Sequence, residues 1–280
     1  VVIDGKVWST GYSKAASSKV LNRVLGLSGM VSAVSANDDY SLALLDDGTV
    51  WAWGENSIGQ LGNGINYTDS SVPTRVHGLT DVAAISAGAT HALALKADGT
   101  VWAWGDNNCY KLGIGNEDSK THTPRQVKAD SGSYLTGVVA VGAGFDHSLA
   151  LKADGTVWAW GDNGSIQLGQ GTAGGEEPYP VQVKDSTGSG YLTNVTAISA
   201  GAMHNLALID GNVWSWGYNT YGQLGHTQGG TALPQKVFGM GGTGYLSGIT
   251  KIAAGGNLYS HSLALDSSGA AYAWGNGEYG

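Results

Sequence analysis

The chain has 280 residues, of which 46 are glycine and 13% are charged, and its ten tryptophans and 13 tyrosines exclude a disordered polymer. Net charge is −8 and the 14 Lys and Arg form no run, which excludes a basic nucleic-acid face. A single cysteine, Cys109, excludes an intrachain disulfide, and no apolar run approaches the roughly 18 residues of a membrane span.

The first recognisable element lies at residues 4–11, and it returns through the chain. Residues 47–54 read Asp-Gly-Thr-Val-Trp-Ala-Trp-Gly, and 98–105 and 154–161 repeat them unchanged. Looser copies occupy 211–217 and 268–275. The copies close on Gly11, Gly54, Gly105, Gly161, Gly217 and Gly275, and all ten tryptophans lie inside them. Repeats of this length mark solenoids or propellers. The cleanest repeat starts with a small-residue strand at 82–88 and an alternating strand, Thr-His-Ala-Leu-Ala-Leu-Lys, at 90–96. An Asp-Gly turn at 98–99 leads into a third strand at 100–104. A loop at 105–115 follows, and then a Pro-containing edge strand at 123–128. The first piece recurs at 31–37, 138–144, 195–201 and 249–255. The second recurs at 40–45, 147–152, 204–209 and 261–266, and the fourth at 72–76, 179–183 and 233–237, with 18–24 in its place at the start.

Four short antiparallel strands per repeat predict an all-β propeller. The expected architecture is a single propeller over 1–280, truncated at its C-terminus. It would hold five full repeats plus one leading strand, part of a seven-bladed ring. The tryptophans are expected to fill the space between blades, one on each blade face.

These residues resemble the regulator of chromosome condensation repeat family. The likeness rests on 87–91 (Ala-Gly-Ala-Thr-His), on 50–62 (Val-Trp-Ala-Trp-Gly-Glu-Asn-Ser-Ile-Gly-Gln-Leu-Gly) and on 73–76 (Pro-Thr-Arg-Val), and it spans the chain. It implies a seven-bladed β-propeller. Roles known in that family include nucleotide exchange on a small GTPase, chromatin docking, ultraviolet sensing and β-lactamase inhibition. The acidic balance and the confinement of Trp to the repeat motif separate this chain from the first three.

His91, His147, His204 and His261 recur at one repeat position, so they are expected in different blades, each bonding its own blade's turn rather than sharing a metal. His147-Ser148 and His261-Ser262 are adjacent in strands, a poor arrangement for a hydrolase. Residues 59–64 are Gly-rich, yet no helix follows that could hold a phosphate. No cofactor and no metal are expected. What varies between repeats is the loop before each His. Asp38, Asp39, Phe145, Asp146, Met203, Asn257, Leu258 and Tyr259 stand there and are the candidate binding residues.

The expected function is a non-enzymatic protein-interaction or structural scaffold. The alternatives are a carbohydrate-binding propeller, a subunit of an extracellular assembly, a propeller hydrolase or lyase, and an enzyme inhibitor. The expected partner is a protein, another copy of the chain, or a surface glycan, with no nucleic acid and no membrane insertion. Low charge, abundant Ser, Thr and Asn, and loops at 131–138 and 188–195 similar to repeat arrays of prokaryotic proteins suggest a secreted or cell-surface setting.

Overall fold

The computed structural model describes residues 1–11, 18–37, 39–65, 67–115, 118–226, 229–255 and 260–277. Among these, helix is confined to two short 3-10 turns, Asn108–Tyr110 and Met240–Gly242. Six antiparallel sheets follow one another along the chain, each packed on the next. The second to fifth have four strands paired in chain order. In the third sheet these are Val82–Ala87, His91–Lys96, Val101–Asp106 and Lys120–Gln126. The first sheet has three strands, Val2–Ile3, Lys6–Gly11 and Ser18–Arg23. The sixth also has three, Ile249–Gly255, His261–Asp266 and Ala271–Gly275.

The propeller class holds, but the blade count does not. Six blades of three or four strands replace the expected seven-bladed ring with five full repeats and one leading strand. Residues 6–11 are not alone. Asp4 and Gly5, with φ of 50° and 67°, turn the chain so that Val2 and Ile3 pair with Val7 and Lys6. This is the same Asp-Gly hairpin signal that opens the third strand of later repeats.

One local device explains why Asp-Gly-Thr-Val-Trp recurs. Asp98 Oδ1 accepts from the Thr100 amide at 3.0 Å and from its hydroxyl at 2.6 Å. Gly99 at φ +80° closes the turn. The Thr100 hydroxyl then accepts from the Trp102 indole at 3.3 Å. Asp47 and Asp154 repeat the arrangement with Thr49, Trp51, Thr156 and Trp158. The hydroxyl and amide donors of the threonine hold Asp47, Asp98 and Asp154 below the usual carboxylate range.

The core lies between sheets. Leu93, Leu95, Val101 and Ala103 of the third sheet meet Ala150 and Trp160 of the fourth. Trp158 joins the same cluster. The two tryptophans of a repeat therefore share one blade face, which corrects the expectation of opposite faces; residues two apart in a strand point the same way. Trp104, Trp160 and Trp216 are 0% exposed. At about 25 cal/mol per Å², burying an indole of roughly 150–250 Å² contributes about 4–6 kcal/mol. Leu42, Leu93, Leu149 and Leu206 are likewise 0% exposed, whereas Leu263 on the sixth sheet is 41% exposed. That sheet's forward face is less covered than those of the second to fifth sheets.

Candidate interaction face

Strand alternation sorts the connections onto two faces. The Asp-Gly hairpins lie on one face. The loops before each His and the Asn-x-x-x-Gln-Leu-Gly loops lie on the other, termed the loop face below. Each Asn folds its own loop: Asn56, Asn107, Asn163 and Asn219 accept through Oδ1 from the amides of Leu61, Leu112, Leu168 and Leu224.

The repeat histidines join blades. His91 Nε2 lies 2.9 Å from Ser148 Oγ of the next blade, His147 Nε2 lies 2.7 Å from Asn205 Oδ1, and His204 Nε2 lies 2.9 Å from Ser262 Oγ. This corrects the expectation that each His bonds its own blade's turn. The Ser148 hydroxyl already donates to the Lys111 carbonyl at 2.8 Å, and Ser262 donates to the Gln223 carbonyl at 2.8 Å. The serine oxygens are thus left to accept, so Nε2 carries the proton. Such an imidazole takes no proton from serine, and the buried pairs form no nucleophile. Nδ1 of His91, His147 and His204 is buried without a partner, which disfavours the charged ring. Desolvation pushes His91 and His147 below the usual histidine value, and His204 down to about 3. The same carbonyls receive a second latch. Trp104, Trp160, Trp216 and Trp274 donate to the carbonyls of Gln60, Lys111, Gln167 and Gln223 at 2.9, 2.9, 3.0 and 2.9 Å. In the first full repeat Tyr40 replaces His, and its hydroxyl donates to the His91 carbonyl.

Lys111 breaks the pattern. It stands where the other repeats have Gln60, Gln167 and Gln223, and it is 1% exposed. Its Nζ lies 2.7 Å from Asp106 Oδ2, 2.5 Å from Asp146 Oδ1 and 2.9 Å from Thr90 Oγ1. The candidate Asp146 is therefore tied to a lysine of the preceding blade. Glutamine at this position accepts the amide two residues back, as Gln167 Oε1 does from Ser165 at 2.8 Å. Lysine has no acceptor, so it reaches across the blade junction instead. Nearby, Tyr110 and Ile166 hold φ of 58° and 59° where Gly59 and Gly222 stand in other repeats. Positive φ is strained for a β-branched residue, and such strain gathers at functional positions.

At the loop-face end of the innermost strands lies a cavity of about 670 Å³. Ser35, Asn37, Ser86, Phe145, Ser199 and Gly201 are among its lining residues. The hydroxyls of Ser35, Ser86 and Ser199 accept amides of Ala87, Ala143 and Ala254 in neighbouring blades at 2.9, 3.0 and 2.9 Å. The His loops are stitched together as well: Ala89 donates to Gly144 at 3.2 Å, and Phe145 donates to Ala202 at 3.0 Å.

The structure thus brings Phe145, Asp146 and Met203 to one face, all partly buried, with Asp39 exposed on the same side. Asp38, Asn257, Leu258 and Tyr259 lie outside the described residues. The sequence reading missed Lys111, Asp106, Cys109, Asp162 and Glu176. The available signal was a lysine at the glutamine position. Cys109 Sγ and the carboxylates of Asp162 and Glu176 have ligand atoms within 4.8 Å of one another, a set with metal-ligand chemistry. Burial, and then Glu176, push the Cys109 thiol up to about 12, so it is no thiolate nucleophile.

Comparison with known proteins places this architecture. The probable E3 ubiquitin-protein ligase HERC6 of Homo sapiens is 37% identical over 220 residues, covering 75% of this chain. The ultraviolet-B receptor UVR8 of Arabidopsis thaliana is 31% identical over 256 residues, covering 89%. The chain spans 21% and 54% of those two proteins' own lengths. Human WBSCR16 superposes with a TM-score of 0.76 at 24% identity, over 92% of this chain and 64% of that one. Yeast RCC1 (Prp20), in its complex with Kap60, superposes with a TM-score of 0.71 at 21% identity, over 90% and 61%. These two share the fold. The RCC1-like domain family is matched over residues 2–280, and the chain belongs to that family.

Proposed function

We propose that this RCC1-like propeller is a protein-recognition module that binds its partner on the loop face. The observation that carries the reading is where sequence variation falls. The latches, hairpins and buried tryptophans repeat from blade to blade, whereas Phe145, Asp146, Met203 and the Lys111 junction do not. Variation on a rigid repeating frame is how one surface gains a specific partner. Yeast RCC1 was crystallised with a bound protein, Kap60, which fits such a use of the fold. The human and plant relatives do not support the secreted prokaryotic setting suggested by composition.

A glycan-binding reading would instead use Tyr134, Tyr191 and Tyr245. These are exposed at equivalent positions on the hairpin face. A photo-crosslinking residue placed at Phe145 or Met203, or at Tyr134 or Tyr191, separates the two in extracts of the source cell. Discrete protein adducts from the first pair and none from the second are expected. Adducts from the tyrosine positions alone would overturn the loop-face assignment.

A further inference from the structure

We infer that the partner segment received by the loop face is rich in Lys and Arg and is drawn toward the central cavity. This rests on the protein-recognition reading and adds the chemistry of the partner. The carrying observation is an uneven division of charge between the two faces of the propeller. On the hairpin face the aspartates have basic neighbours. Among the described residues, ten aspartates lie at that end of the strands (Asp4, Asp46, Asp47, Asp81, Asp98, Asp130, Asp154, Asp185, Asp210 and Asp266), and nine cations nearly balance them (Lys6, Arg23, Arg75, Lys96, Lys128, Lys152, Lys184, Lys236 and Lys251). The loop face carries Asp39, Glu55, Asp69, Asp162, Glu176 and Glu177 among the described residues. Its cations are few and engaged. Lys111 is held between two carboxylates, which leaves that cluster one negative charge in excess. Lys120 lies 4.1 Å from the Tyr67 ring centre, and Arg125 reaches Asp118 at 3.6 Å. The negative excess of the described residues therefore sits on one side of the molecule.

The cavity opens on that same side. Among the described residues its lining is serine, asparagine, alanine, glycine and Phe145, with no charged side chain. Asp39 and Asp146 stand at its rim, close in sequence to the lining stretches that end at Asn37 and Phe145. The other carboxylates lie farther out on the same face, and a field of one sign over a cleft attracts the opposite charge. An acidic peptide or a nucleic-acid phosphate would meet like charge at the rim, which costs free energy. A guanidinium group suits the site in a second way, since it can stack on Phe145 while pairing with carboxylates.

The probe is a fluorescein-labelled peptide of about twelve residues that alternates Arg and Gly, with a Glu-Gly peptide as control, read by anisotropy at about 50 mM salt. One variant is Asp39→Asn, Asp162→Asn and Glu176→Gln on the loop face. The other is Asp47→Asn, Asp98→Asn and Asp154→Asn on the hairpin face. Both remove the same charge, and circular dichroism checks that both fold. The Arg peptide should bind, and the Glu peptide should not. The loop-face variant should raise Kd about tenfold or more, and the hairpin-face variant less than about twofold. Equal weakening by both variants would show unlocalised attraction and overturn the inference, as would failure of the Arg peptide to bind. A partner crosslinked from Phe145 through a neutral or acidic segment would leave the loop-face reading standing and overturn this inference alone.

Discussion

Among single residues, Lys111 is the most informative. Its ammonium is enclosed by Asp106, Asp146 and Thr90 and is almost fully buried. Removing one member of a buried ion pair strands the other, typically at about 3–5 kcal/mol. Lys111→Ala should cost about 3 kcal/mol, toward the low end, because the Asp146 side chain keeps 31% of its surface in water. Lys111→Gln restores the residue of the other repeats and should cost no more than about half of that. Urea denaturation measures both, and equal costs would mean that the glutamine amide regains nothing and that loss of the lysine charge carries the whole effect. The buried histidines make a pH prediction. In the unfolded chain a histidine takes up a proton near pH 6.5, whereas His204 in the fold does so only near 3, and His91 and His147 also titrate below the ordinary value. Across that window the unfolded state binds more protons, so stability falls as pH falls. The slope is about 1.4 kcal/mol per pH unit for each such histidine. The Tm should drop between pH 7 and pH 5, and His204→Gln should lessen the drop. A Tm unchanged over that range would show that these rings are not held neutral.

Between elements, the blade junction is a repeated set of bonds onto one backbone carbonyl. At the third junction, the Lys111 carbonyl receives both the Trp160 indole and the Ser148 hydroxyl, and Ser148 in turn accepts from His91. Trp160→Ala should cost about 3–5 kcal/mol by urea denaturation. Trp160→Phe keeps most of the packing, loses the hydrogen bond, and should cost about 1–2 kcal/mol. A loss below about 1 kcal/mol for Trp160→Ala would contradict burial between blades. Gly144 is needed for the same junction: a Cβ there would lie 2.2 Å from His147 Cε1. The strands, hairpins and Trp-Gly repeats were legible in the sequence because each is a local device, as in the Asp98, Thr100 and Trp102 chain of hydrogen bonds. The histidine bonds were not, because each joins residues more than fifty positions apart in different sheets. Lys111 was legible as a lysine at the glutamine position, but its role was not, because that depends on Asp146, which only blade packing brings beside it. Phe145 and Met203 were legible as variable loop residues, but the cavity beneath them required the sheets to be arranged around an axis.

Across the whole molecule, six sheets build a frame with two unlike faces. The hairpin face has repeated Asp-Thr-Trp turns, with lysines and exposed tyrosines beside them. The loop face has the acidic rim, the cavity and the residues that differ between blades. The overall charge of −8 suggested acidity without a location, and folding concentrates its described excess on one side. Hydrogen–deuterium exchange of the protein with and without a crosslink-identified partner tests most directly whether recognition occurs there. Exchange should slow at residues 88–90, 144–146 and 201–203, and hairpins 97–99 and 153–155 should be unchanged. Protection of those hairpins, with the three loops unaffected, would contradict recognition on the loop face.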